Sequence, residues 1–105
     1  MRFILVLTTC PTRPSALKIA RQILEKKLAA CVQISSPVKS IYRWKGRVER
    51  SQEVQVWIKA RASSFKKIQK QISIFHPYEV PEIISIPILQ GSQDYLSWIE
   101  KETGK

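Results

Sequence analysis

At 105 residues, with 44% hydrophobic content and three Trp, the chain has the length of one domain with its own core, read here as spanning 1–105, and is too apolar for a disordered one. No stretch nears the roughly 18 apolar residues that cross a bilayer, and Met1–Leu7 is too short for a secretion-signal core. The formal charge of +10 is spread without a block of five basic residues, which reads as a solvated surface and not a nucleic-acid footprint. The expectation is a cytoplasmic protein with no membrane and no nucleic-acid partner.

Strands and helices alternate along the chain. Phe3 to Leu7 is apolar on both faces and reads as a central strand, closed by Cys10. Thr12 as N-cap and Pro14 in the first turn open a helix whose inner face is read as Leu17, Ala20, Leu24 and Leu28, with Ile23 beside them. A second strand runs from Cys31 to Trp44, with a bulge or bend at Pro37. Lys45-Gly46 has turn chemistry, and a third strand returns from Arg47 to Arg61 with Val54, Val56 and Ile58 alternating. Ser63 or Ser64 caps a second helix with the stripe Phe65, Ile68, Ile72 and Phe75. A fourth strand covers Ile83 to Leu89, and Ser92 caps a last helix carrying Tyr95, Leu96 and Ile99.

This order predicts an α+β, ferredoxin-like βαββαβ sandwich with strand order 4-1-3-2, an extended hairpin of the second and third strands, and a C-terminal helix. Cys10 and Cys31 then lie at opposite ends of parallel strands, roughly 20 Å apart, so no disulfide joins them, as suits a reducing compartment. The fourth strand begins beside the end of the first. His76, Glu79, Glu82, Cys10 and Trp44 are therefore placed around one rim with the hairpin's basic residues. The hairpin strands are about twice as long as the first and fourth, which leaves bare edges in a monomer. An obligate oligomer is expected.

His76-Pro77-Tyr78-Glu79-Val80-Pro81-Glu82 is the segment richest in chemistry. Its two prolines hold His76 and Val80 extended, which predicts a stiff rod that displays one imidazole and two carboxylates. Two roles are open to His76: a metal ligand, or a helix stop bonded to a neighbouring carbonyl. Glu79 and Glu82 are open to ligation or to pairing with Arg43 or Arg47.

Four motifs are similar to those of the CutA family, the divalent-cation tolerance proteins: Ala29-Ala30-Cys31-Val32, Ser40-Ile41-Tyr42-Arg43-Trp44-Lys45-Gly46, His76 through Ile83, and Asp94-Tyr95-Leu96-Ser97-Trp98. The resemblance implies a PII-like homotrimer held by the long hairpins, a cytoplasmic role in tolerance of copper and other divalent cations, and no enzymatic activity. It implies His76 as the leading metal ligand. The cysteine position of copper-binding members aligns with Thr8; Cys10, two residues on, can share that strand face and substitute for it, the alternative being buried packing. With Glu79 and Glu82, these form the expected metal set, with copper or another divalent cation as the cofactor. Tyr42, Trp44, Arg43, Arg47, Tyr78 and Trp57 are expected at the cleft or subunit interface.

Thiolate with imidazole suits Cu(I), whereas imidazole with carboxylates suits Cu(II) or Zn(II). The positive charge of a trimer opposes cation accumulation and favours the rival reading, a PII-like regulator that binds a small anion or a partner protein. An RNA-recognition module lacks the aromatic pattern it needs, and an enzyme lacks a nucleophile–base pair.

Overall fold

In a computed structural model, residues 2–103 are described, and the strands and helices follow the expected order. Strand β1 (Phe3–Cys10) is central, flanked by β4 (Arg47–Arg61) and β5 (Ile84–Pro87), with β2 (Cys31–Ile34) outside β4 and every pairing antiparallel. This is the ferredoxin-like order. The expected single second strand is broken at Ser35–Pro37, because Pro37 cannot donate to a ladder. It resumes as β3 (Val38–Trp44), which pairs with the outer half of β4 from Val38–Glu53 to Trp44–Arg47. The hairpin turns through Lys45 (φ 52°) and Gly46 (φ 79°), a two-residue loop with both dihedrals positive, so glycine suits the second position. The fourth strand is shorter than Ile83 to Leu89.

Helices α1 (Arg13–Glu25) and α2 (Phe65–Phe75) cover one sheet face. Thr12 caps α1 by accepting from the Ser15 N–H, as its sequence position predicts. The inner face of α1 differs from expectation. Ala16, Ile19, Ala20 and Ile23 are buried, Leu28 is half-buried, and Leu17 and Leu24 are exposed. The two alanines share the sheet-facing arc with Ile19 and Ile23, and Leu17 and Leu24 fall about 100° round the helix. Beneath the helices, Ile4, Val6 and Cys10 of β1 meet Val54, Val56, Ile58 and Ala60 of β4, and Ile68 and Ile72 complete the core.

Helix α3 (Gln93–Glu102) packs on the opposite face, where Lys59 reaches over the Tyr95 ring and Arg61 donates to Thr103. It leaves much of that face open. The hairpin extends the molecule to 44 Å, and Ile41 (62% exposed) and Val48 (61%) stand bare on it. Cys10 and Cys31 are both free, and Cys31 pairs with Lys59, level with Leu5, five positions from Cys10 along the sheet.

Candidate functional site

The helix stop comes first, because it fixes everything after it. Chain geometry turns extended at His76 (φ −79°, ψ 136°), as a residue before proline must, while its N–H still closes the last turn on the Ile72 carbonyl at 2.8 Å. The imidazole is 8% exposed and both its nitrogens are used. Nε2 lies 2.7 Å from the Thr9 carbonyl oxygen, which only accepts, so Nε2 carries the hydrogen. Nδ1 then accepts the Tyr78 N–H at 3.0 Å. This return bond curls the segment, so bends run from Pro77 to Val80 where a straight rod was expected. His76 ties α2 to the end of β1, and neither ring nitrogen keeps a free lone pair.

Cys10 belongs to the same sealed layer. Its Sγ is 3.8 Å from His76 Nε2, a weak secondary contact, and burial pushes its thiol up from the ordinary value. Metal ligation needs the thiolate, which that environment disfavours. Thr8 lies on the same strand face, in the core, and its Oγ1 has no hydrogen-bond partner among the described residues.

On the other sheet face a cleft of about 690 Å³ opens between the hairpin and the His76–Glu82 segment, lined among others by Thr9, Tyr42, Trp44, Tyr78, Glu79 and Glu82. Alternation along β3 accounts for most of the wall: Ser40, Tyr42 and Trp44 share one face and line the cleft, joined by Ile41 from between them, whereas Arg43 does not line it. Arg47 and Trp57 do not line it, and among the described residues neither Arg43 nor Arg47 pairs with a carboxylate. Glu79 makes no hydrogen bond among the described residues, and Glu82 has only a 3.4 Å contact from Thr9 Oγ1.

The residue that sequence reasoning missed is Glu53. It is 7% exposed, lines the cleft, and accepts a 2.7 Å hydrogen bond from the Tyr78 hydroxyl. Burial first, then that hydrogen bond and the carboxylate's charge, hold the Tyr78 phenol well above its ordinary value. Its sequence signal is weak: Glu53 alternates with the inward Val54, Val56 and Ile58 of β4 and so reads as a solvent-facing strand position.

The expected metal set is thus divided. Cys10 and His76 lie behind the cleft, Glu79 and Glu82 line it, and among the described residues no three His, Cys, Asp or Glu groups converge as a ligand cluster. The donors that are free are oxygens, which fit a carboxylate-binding divalent cation and not a thiolate–imidazole copper site.

Comparison with known proteins gives the family. The model described as CutA1 divalent ion tolerance protein matches residues 4–102. The chain is 41% identical over 99 residues to a divalent-cation tolerance protein CutA of Thermus thermophilus, covering 94% of this chain and 96% of that one. It is 46% identical over 91 residues to a CutA homolog of Xenopus laevis, covering 87% of this chain but only 60% of that longer relative. A crystal structure of CutA1 from Shewanella sp. SIB1 superposes with a TM-score of 0.94 at 42% identity, covering 98% of this chain and 96% of that one. The Thermus relative is named as a divalent-cation tolerance protein, in line with the description of the matching family model. The four motifs, the fold and the match over residues 4–102 place this chain in the CutA1 divalent ion tolerance family.

Proposed function

We propose that this protein serves divalent-cation tolerance by holding such a cation, copper(II) included, in the cleft, with Glu79 and Glu82 as donors and a second subunit of a homotrimer closing the site. The observation that carries the reading is the division of the His76–Glu82 segment: its two carboxylates line open space while its imidazole is consumed by the fold. Two free carboxylates make a weak site, which a subunit boundary would strengthen by adding donors. The exposed Ile41 and Val48 on one face of the hairpin, and Tyr42 and Trp44 on the other, support assembly, because a hairpin left bare with apolar residues on both faces is unusual for a monomer. The carboxylates count against the rival anion in this cleft. Two unpaired cysteines favour a reducing compartment, and we place the protein in the cytoplasm.

The test is calorimetric titration of Cu(II), Zn(II) and Mn(II) into metal-stripped protein beside Glu79→Gln/Glu82→Gln, with particle mass measured for both. Saturable binding by a trimer, lost in the variant while the mass holds, is the expected result. Undiminished binding by the variant would remove the carboxylates from the site, and a monomeric mass would remove the second subunit.

A further inference from the structure

We propose that one end of the α1–α2 layer is a sequence-independent binding surface for the phosphate backbone of duplex nucleic acid. The two helices run antiparallel: Lys18, midway along α1, sits 5.5 Å over the ring of Phe75, the last residue of α2. The end of α1 is thereby brought beside the start of α2. Arg21, Lys26 and Lys27 come from the first, and Lys66, Lys67 and Lys70 from the second, all exposed. Among the described residues none of the six makes an ion pair or lies over an aromatic ring, and Glu25 is the one carboxylate on either stretch. The sheet face opposite this layer carries the carboxylate-lined cleft.

Local energetics argue that Lys66, Lys67 and Lys27 are not there for the fold. Lys66 and Lys67 occupy the first turn of α2, where the helix dipole is positive and acidic residues are favoured; that turn has none, and Ser64 gives no side-chain cap. Lys27 holds a positive φ of 56°, the left-handed position after a helix that glycine or asparagine fills most readily. Local preference is thus broken three times in favour of lysine at one end of the layer, a pattern expected where function overrides stability.

Lysine ammonium groups are point charges suited to phosphate and poor at reading base edges, so binding is expected without sequence preference. The aromatic residues of the two helices, Phe65 and Phe75, are only partly exposed and pack against the core, which leaves no projecting ring for a bilayer interface and favours a duplex over a lipid surface. The proposal departs from the sequence-based expectation of no nucleic-acid partner. That expectation weighed contiguous basic blocks and sheet aromatics, whereas the fold joins residues 21–27 to residues 66–70 in space.

The experiment is fluorescence anisotropy of a short labelled DNA duplex of arbitrary sequence with the full-length chain. Binding is expected to weaken roughly a hundredfold between about 50 and 200 mM salt, as for about four neutralised phosphates. Lys66→Gln/Lys67→Gln/Lys70→Gln and, independently, Arg21→Gln/Lys26→Gln should each weaken it by about tenfold or more, with wild-type circular dichroism. A hairpin control, Lys39→Gln/Arg50→Gln, should bind as wild type does. The proposal is overturned by no binding at low salt, by helix variants that bind normally, or by a control that loses as much. Tighter binding to phosphatidylserine vesicles than to the duplex would also overturn it.

Discussion

His76 and Glu82 stand six residues apart in one motif, yet the two ends of that motif do opposite work. The His76 end is closed: an imidazole with both nitrogens bonded to backbone, backed by a buried thiol. The Glu82 end is open: carboxylates with free oxygens beside Tyr42 and Trp44. A motif whose residue types look like one ligand set is thus a structural clasp followed by a candidate binding wall. Residue chemistry alone does not separate the two, because lone pairs already spent on the backbone are visible only in three dimensions.

The largest effect should come from breaking the closed end. His76→Ala orphans the Thr9 carbonyl and the Tyr78 N–H, and should cost roughly 2 to 3 kcal/mol in urea unfolding. Unchanged stability in that variant would mean the clasp is not structural. The next effect lies where the two regions meet. Tyr78→Phe removes the donor on buried Glu53 and should cost roughly 1 to 2 kcal/mol.

The same contact carries a pH signature. Folding raises the Tyr78 phenol, so the native chain holds that proton more tightly than the unfolded chain. The stability this supports is fully present below the ordinary phenol value of about 10 and falls as pH rises towards the higher native value. Wild type should therefore lose stability in that alkaline range faster than Tyr78→Phe, and parallel declines would contradict the assignment.

A smaller contrast separates the two thiols. Cys31 is partly exposed and should react with a thiol reagent at neutral pH, whereas Cys10, buried with a raised thiol, should react only on unfolding. Equal native reactivity would show the closed end to be open. Least of all should the open end matter to stability: Glu79→Gln/Glu82→Gln should unfold within about 0.5 kcal/mol of wild type.

Much of the fold was legible because its signals are local. The Thr12 cap, the Lys45-Gly46 turn, the stop at His76-Pro77 and the alternation of Val54, Val56 and Ile58 each carry their own physical rule. The inner face of α1 was read correctly at Ala20 and Ile23 but wrongly at Leu17 and Leu24, which stood in place of Ala16 and Ile19, because position on the helix arc and not hydrophobic rank decides what is buried. The site was legible as a neighbourhood and not as a geometry. Antiparallel topology brings Cys10, His76 and Glu82 to one end of the sheet, but which side of the sheet each group faces depends on alternation and on the Tyr78 N–H turning back to His76. Glu53 escaped notice because a carboxylate in a strand reads as a solvent-facing position until the cleft is seen around it.

The most direct measurement is pulsed electron paramagnetic resonance of the protein loaded with one equivalent of Cu(II). The account predicts an oxygen-ligated spectrum without imidazole-nitrogen modulation, lost in Glu79→Gln/Glu82→Gln. Modulation from a histidine nitrogen that disappears in His76→Ala would contradict it, by showing that the imidazole leaves its backbone partners to bind the metal.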